Sequence, residues 1–235
     1  MKILLIADPQ RATELQNKLS GATVPITIDL YNTLNLEQKA QMIQDYDLII
    51  DTTFDEYPAR LANYTSLLNQ HQTLLLASVK HSLAQAILDL PQPRPINFQL
   101  AGFNALPTFI DRPLWEICFW QHTNRDAFQQ LFQTLGIAYR TVEDRAGMVM
   151  PRILCMIINE AYFMLQEQGA SKKHIDQAMR LGVNYPNGPF EWAKKIGLKH
   201  IYQTLIALQK ENGSERYPIS QLLKKEYAQE NAQAI

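Results

Sequence analysis

Y-D-L-I-I-D-T-T-F-D-E-Y-P-A-R-L-A-N-Y-T-S-L-L-N-Q-H-Q-T-L-L-L-A-S, residues Tyr46–Ser78, decides the fold. Tyr46–Thr52 is a short, largely apolar run, which predicts a strand. Glu56–Gln70 carries a helical pattern, and Gln72–Ser78 is a second apolar run. Two strands that are apolar on both faces, joined by a helix, predict neighbours in a parallel sheet covered on both sides. The same alternation extends outward. Lys2–Ala7 predicts a strand and Thr13–Leu19 a helix. Val24–Leu30 alternates Ile26, Ile28 and Leu30 with polar residues, and Leu36–Asp45 predicts a short helix. Downstream, Pro91–Pro95 marks a turn. Phe98–Phe103, Leu114–Phe119 and Ile137–Val142 read as strands, and Asp126–Leu135 as a helix capped by Gly136.

Strands stop after Asp144. Met148–Gln168 is apolar almost all round, which predicts a helix buried on most sides and, in so small a domain, a subunit contact. Ser171 is a good N-cap for a helix over Lys172–Leu181, with Gly182 just past its end. Asn187-Gly188 predicts a turn, Pro189 opens the next helix and Gly197 closes it. Two further helical stretches follow, one reaching Lys210 and one over Ile219–Tyr227, with a frayed tail. The expected organisation is therefore an α/β Rossmann-like domain with a parallel sheet over residues 1–143 and an all-α domain over 144–235.

Composition narrows the function. The chain has 235 residues, 22 basic and 23 acidic, and a formal net charge of −1. No run of like charge suggests nucleic acid. No apolar stretch reaches the ~18–20 residues of a membrane span, and Asp8 and Pro9 end the first one too early for a signal peptide. These features predict a soluble, cytoplasmic protein. Cys118 and Cys155 lie among apolar neighbours and are expected to be buried, reduced thiols. No metal-ligand spacing, G-x-S-x-G or P-loop occurs. Trp115, Phe119 and Trp120 are expected in an aromatic core.

The block beginning D-R-A-G-M-V-M-P-R-I-L-C-M-I-I-N-E-A at Asp144, followed by I-D-Q-A-M-R-L-G, P-N-G-P-F-E-W and I-G-L, resembles the C-terminal domain of the L-3-hydroxyacyl-CoA dehydrogenases. Other stretches are similar to the same family. They are Y-D-L-I-I-D-T-T-F-D-E at Tyr46, L-L-A-S-V-K-H-S-L at Leu75, A-G-F-N-A-L-P at Ala101, L-W-E-I at Leu114 and R-Y-P-I-S-Q-L-L-K-K at Arg216. The resemblance implies a Rossmann domain for NAD, a helical domain that makes a homodimer, and hydride transfer to or from the C3 hydroxyl of an acyl-CoA. In that chemistry a His acts as general base and a Glu orients and charges it.

Position by position, the resemblance is incomplete. The family Glu matches Glu116, but the family His falls on Ala101. His81 stands where the family has a substrate-binding Ser. It follows a strand, so it is a candidate catalytic base from a new place. His122, after the Leu114 strand, is a weaker candidate of the same kind. Asp55 matches the acidic position near the nicotinamide and is the candidate cofactor-binding residue. Ser82 and Asn104 are the candidate substrate-binding residues. Val79 and Pro151 replace two family Asn positions.

The cofactor turn departs further. A dinucleotide turn needs glycines so that pyrophosphate can approach backbone N–H groups. Here the turn reads I-A-D-P-Q-R-A, with no glycine, an acid at Asp8 and a missing donor at Pro9. The lysine-rich helical pair that helps the family hold CoA shrinks to Tyr31–Asp45, with Lys39 alone.

Three readings follow. The first is a catalytically degenerate homologue that binds an acyl-CoA or another small molecule. The second is an active NAD-dependent enzyme using His81 with Glu116. The third is a structural dimer module. The glycine-free turn separates the first from the second.

Overall fold

The computed structural model describes residues 1–31, 43–92, 95–121 and 123–233. Most of the helix expected over Leu36–Asp45 lies outside the described residues, as do Lys39, His122 and the centre of the Pro91–Pro95 turn. Two compact units divide the chain, Met1–Met148 and Val149–Ile235. The boundary falls after Met148 rather than before Asp144 because the Asp144 carboxylate is tied to the first unit. It accepts from the Leu83 and Ala84 N–H groups at 2.7 and 2.8 Å.

The first unit is a seven-stranded sheet in the order β2-β1-β3-β4-β5-β6-β7. Its strands are β1 (Lys2–Ile6), β2 (Thr27–Tyr31), β3 (Leu48–Asp51), β4 (Thr73–Ala77), β5 (Gln99–Phe103), β6 (Leu114–Phe119) and β7 (Ala138–Thr141). β3 is buried at every position, as its continuous apolar run requires of a strand covered on both faces. Among the described residues the α-helices are α1 (Pro9–Leu19), α2 (Arg60–Leu67), α3 (Leu83–Leu88) and α4 (Arg125–Leu135). Gly136 takes φ +69° and caps α4 as expected.

Two local expectations change. The helix expected from Glu56 begins as a single 3₁₀ turn, Phe54–Glu56, and restarts as α2. Pro58 is the cause, since the residue before a proline is pushed out of the α region, and Tyr57 sits at φ −135°, ψ 58°. The sheet is also not wholly parallel. β1 to β5 run one way, while β6 pairs antiparallel to β5 and β7 pairs parallel to β6. No described helix separates β5 from β6, so the chain turns straight back, whereas α4 carries the crossover from β6 to β7.

The aromatic core lies under these last strands. Trp115 stacks on Phe103 at 5.0 Å, and Phe119 meets Phe128 edge to face at 5.2 Å. The loop between β5 and β6 lies over α1. Glu14 of α1 accepts from the Thr108 N–H at 3.2 Å, and Lys18 donates to the Arg112 carbonyl at 2.8 Å.

The second unit is helical: α5 (Met150–Gln166), α6 (Lys172–Val183), α7 (Pro189–Ile196), α8 (Leu198–Asn212) and α9 (Gln221–Gln233). Its turns are explained by packing and capping. Asp176 of α6 accepts from the Phe190 N–H at 2.8 Å, and Glu191 accepts from the Gly188 N–H at 2.9 Å. A side chain at Gly188 would meet Asp176 at 2.3 Å, so only glycine fits there. Buried Asn159 of α5 donates to the Pro218 carbonyl and accepts from the Ser220 N–H, fixing the start of α9.

Three expectations are corrected in this unit. α6 runs through Gly182 to Val183, and Asn184, at φ 56°, takes the left-handed position after it. Asparagine is the residue after glycine that adopts that conformation most readily. The last helix continues to Gln233 rather than fraying after Tyr227. α5 buries Leu154, Cys155, Ile158, Ala161 and Tyr162, but Ile153, Met150 and Met164 are 46–51% exposed. It is buried on one face, not most of them.

Candidate functional site

Open α/β sheets bind ligands beyond the carboxyl ends of their strands, where the chain order reverses. In this sheet the reversal lies between β1 and β3, since β2 is laid on one side of β1 and β3 on the other. The helix following β1 starts at that point. Asp8 is its N-cap, and the carboxylate accepts from the Arg11 N–H at 3.0 Å. The chain's own acid thus satisfies a backbone donor that an anion would otherwise use.

The crevice beside it holds the Arg11 side chain, only 5% exposed. Its Nε donates to Asp8 and its Nη1 to the Thr52 carbonyl at the end of β3. Its Nη2 lies 3.5 Å from Glu56 Oε1, and that oxygen also accepts from buried Lys80 Nζ at 3.2 Å. Burial pushes the Asp8 carboxyl up, but the hydrogen bonds and charge of Arg11 outweigh it and hold the group below its ordinary value.

The dinucleotide that the family resemblance implies does not fit this crevice. The turn holds no glycine, Pro9 has no N–H, and the space at the switch point is filled by a guanidinium bracketed by carboxylates. A pyrophosphate would face Asp8 and Glu56, and it would have to displace buried Arg11 from its acceptors.

The predicted site residues spread along the same sheet edge. Asp55 is fully buried and accepts from the Val79, Lys80 and His81 N–H groups at 2.9, 2.8 and 3.2 Å. It therefore holds the turn after β4. Burial raises its carboxyl to about 7, against the opposing pull of Lys80 and those N–H groups. Within that turn, the Ser78 hydroxyl donates to the His81 carbonyl at 2.8 Å. Ser82 caps α3, accepting from the Gln85 N–H at 3.1 Å.

Asn104 is buried just past β5. Its N–H donates to the Glu116 carbonyl at 3.3 Å, and its side chain accepts from the Leu106 N–H. Glu116 lies on β6 at this same edge. Ala101 lies in the middle of β5, 0% exposed, paired with Leu75 and Phe119. No imidazole can come from that position. Val79 is fully buried, and Pro151 lies in the first turn of α5.

The edge thus sets Asp55 against the turn that carries His81, and Asn104, just past β5, against the Glu116 backbone on β6. The residues missed from sequence are Arg11, Glu56 and Lys80. Asp8 four residues before Ala12, with Arg11 one turn into the helix, hints at a local Asp–Arg pair. Nothing local in the sequence announces Thr52 and Glu56 as its further partners. The two thiols are free and buried, and burial raises the Cys118 thiol. Among the described residues no cluster of His, Cys, Asp or Glu suits a metal, and no helix is long and apolar enough to cross a membrane.

A mostly parallel sheet with a switch-point crevice, followed by a helical unit, defines a Rossmann-like architecture. Comparison with known proteins finds the same fold among dehydrogenases. Residues 147–233 match the family "3-hydroxyacyl-CoA dehydrogenase, C-terminal domain". The chain is 45% identical over 92 residues to an Escherichia coli 3-hydroxyadipyl-CoA dehydrogenase, covering 39% of this chain and 19% of that protein. It is 29% identical over 233 residues to a Clostridioides difficile 3-hydroxybutyryl-CoA dehydrogenase, covering 95% of this chain and 80% of that one. The crystal structure of (S)-3-hydroxybutyryl-CoA dehydrogenase PaaH1 from Ralstonia eutropha superposes with a TM-score of 0.72 at 19% identity, over 97% of this chain and 93% of that one. The chain is therefore similar to 3-hydroxyacyl-CoA dehydrogenases over most of its length, and its residues 147–233 match their C-terminal domain.

Proposed function

We propose that this chain is a 3-hydroxyacyl-CoA dehydrogenase homologue that has given up dinucleotide-dependent hydride transfer. In this reading it keeps the architecture, takes an acyl-CoA or a related small molecule, and works as a binding or assembly partner. One observation carries the proposal: the switch-point crevice is filled by Arg11, clamped by Asp8, the Thr52 carbonyl and Glu56. The alanine at 101 supports it, because a carboxylate at Glu116 has no imidazole at the family position to orient. Loss of a general base alone costs about 10²–10⁴ in rate.

The helical unit suits a homodimer. Ile153, Met150 and Met164 of α5, together with Val149 just before it, leave apolar surface exposed on the isolated chain. A second reading, an active enzyme whose base is His81, draws on the shared edge of His81 and Glu116.

The test is reduction of acetoacetyl-CoA by NADH with the purified full-length chain. The proposal expects no turnover above the uncatalysed rate. Turnover that disappears in His81→Ala would replace it with the second reading. Thermal stabilisation by acetoacetyl-CoA in the absence of turnover would support the binding role.

A further inference from the structure

This inference rests on the reading that the crevice takes no dinucleotide. We propose that the space between the carboxyl ends of β1 and β3 is a guanidinium socket, inverted in polarity from a phosphate site, and that Arg11 of the same chain is its resident ligand. Three separate segments supply the acceptors: Asp8 ahead of α1, the Thr52 carbonyl after β3, and Glu56 in the 3₁₀ turn. Each receives a different nitrogen of the guanidinium, Nε, Nη1 and Nη2 respectively.

That division of donors is the argument for a socket rather than a chance ion pair. A planar fork directs its N–H groups outward along fixed directions, and acceptors on three sides match it. A single ammonium, a compact and strongly hydrated point charge, does not. Burial sharpens the preference, because the Arg11 side chain is 5% exposed and that of Glu56 12%. Lys80 Nζ lies 3.2 Å from the same Glu56 oxygen, so this carboxylate is shared by two cations. Taking Arg11 away leaves Asp8 and Glu56 facing a cavity of guanidinium shape with an acceptor carbonyl in its wall.

Tethering makes the occupancy constitutive. A ligand built into α1 competes at high effective concentration against anything free in solution. The crevice is therefore closed by its own occupant.

The test is chemical rescue in the full-length chain. Arg11→Ala is melted alone, with tens of millimolar methylguanidinium chloride, and with equal sodium chloride or methylammonium chloride. The socket predicts a Tm drop of about 6–20 °C on substitution, as for a buried ion pair losing one partner. It also predicts saturable, partial recovery with methylguanidinium alone, and no gain for the unsubstituted protein. A variant as stable as the parent, no recovery, or equal recovery with methylammonium would each overturn it.

If Arg11→Ala does not fold, Arg11→Lys decides. Keeping the charge without the fork should still lower Tm by several degrees, and an unchanged Tm would refute the socket. Failure of the rescue without NADH binding sinks the socket alone. NADH binding by the unsubstituted protein sinks the reading beneath it.

Discussion

Asp55 matches an acidic position near the nicotinamide of the related dehydrogenases, yet here its carboxylate is spent on the Val79, Lys80 and His81 N–H groups. Its neighbours are Lys80 in the turn it holds, adjacent Glu56, and His81 through the backbone. Burial raises its carboxyl from 3.8 to about 7. Across that interval the folded chain keeps a proton that the unfolded chain has released. The stability contributed by this group is thus full below about 3.8 and is lost as pH rises through about 7. The Tm of the parent should therefore fall between about pH 4 and pH 7 more steeply than that of Asp55→Asn, which cannot titrate. Parallel Tm–pH curves for the two proteins would contradict this assignment. The residue scale is also where the sequence was least legible. Asp8, Arg11 and Glu56 each look like ordinary surface charges in their own stretches. Asp8 and Arg11 pair locally, but their meeting with Glu56 depends on β1 and β3 lying side by side, which no local pattern encodes.

At the scale of elements, most of the fold could be read in advance. The apolar runs at Lys2, Tyr46 and Gln72 became β1, β3 and β4, because a strand covered on both faces has no room for polar residues. Where the reading failed, a specific force intervened. Pro58 broke the expected helix, and the absence of a crossover helix after β5 reversed β6. α5 shows the limit most clearly. Its sequence is apolar around nearly the whole circumference, but a single chain buries only the face carrying Leu154, Ile158, Ala161 and Tyr162. Ile153, on the open face, is 51% exposed. If that face is covered by a second copy, Ile153→Glu should convert a dimer to a monomer in light scattering. Its far-UV spectrum should be unchanged, because the residue is not part of the core. A monomeric parent, or an unaltered dimer in the variant, would count against the homodimer.

For the whole molecule, the proposed function separates architecture from chemistry. The layered sheet, the switch point and the helical unit all follow the 3-hydroxyacyl-CoA dehydrogenases, and the likeness to the clostridial relative runs over 95% of the chain. The switch point itself holds the Arg11 guanidinium between Asp8 and Glu56. The glycine-free turn at Ala7–Ala12 was visible in the sequence and is what motivates the proposal. The filling of the space by that guanidinium was not visible, since two of its three partners, the Thr52 carbonyl and Glu56, lie far along the chain, Thr52 being 41 positions from Arg11. A calorimetric titration of the full-length protein with NADH tests the account most directly. A filled, carboxylate-lined crevice predicts no saturable heat up to millimolar NADH. A stoichiometric isotherm with micromolar affinity would contradict it.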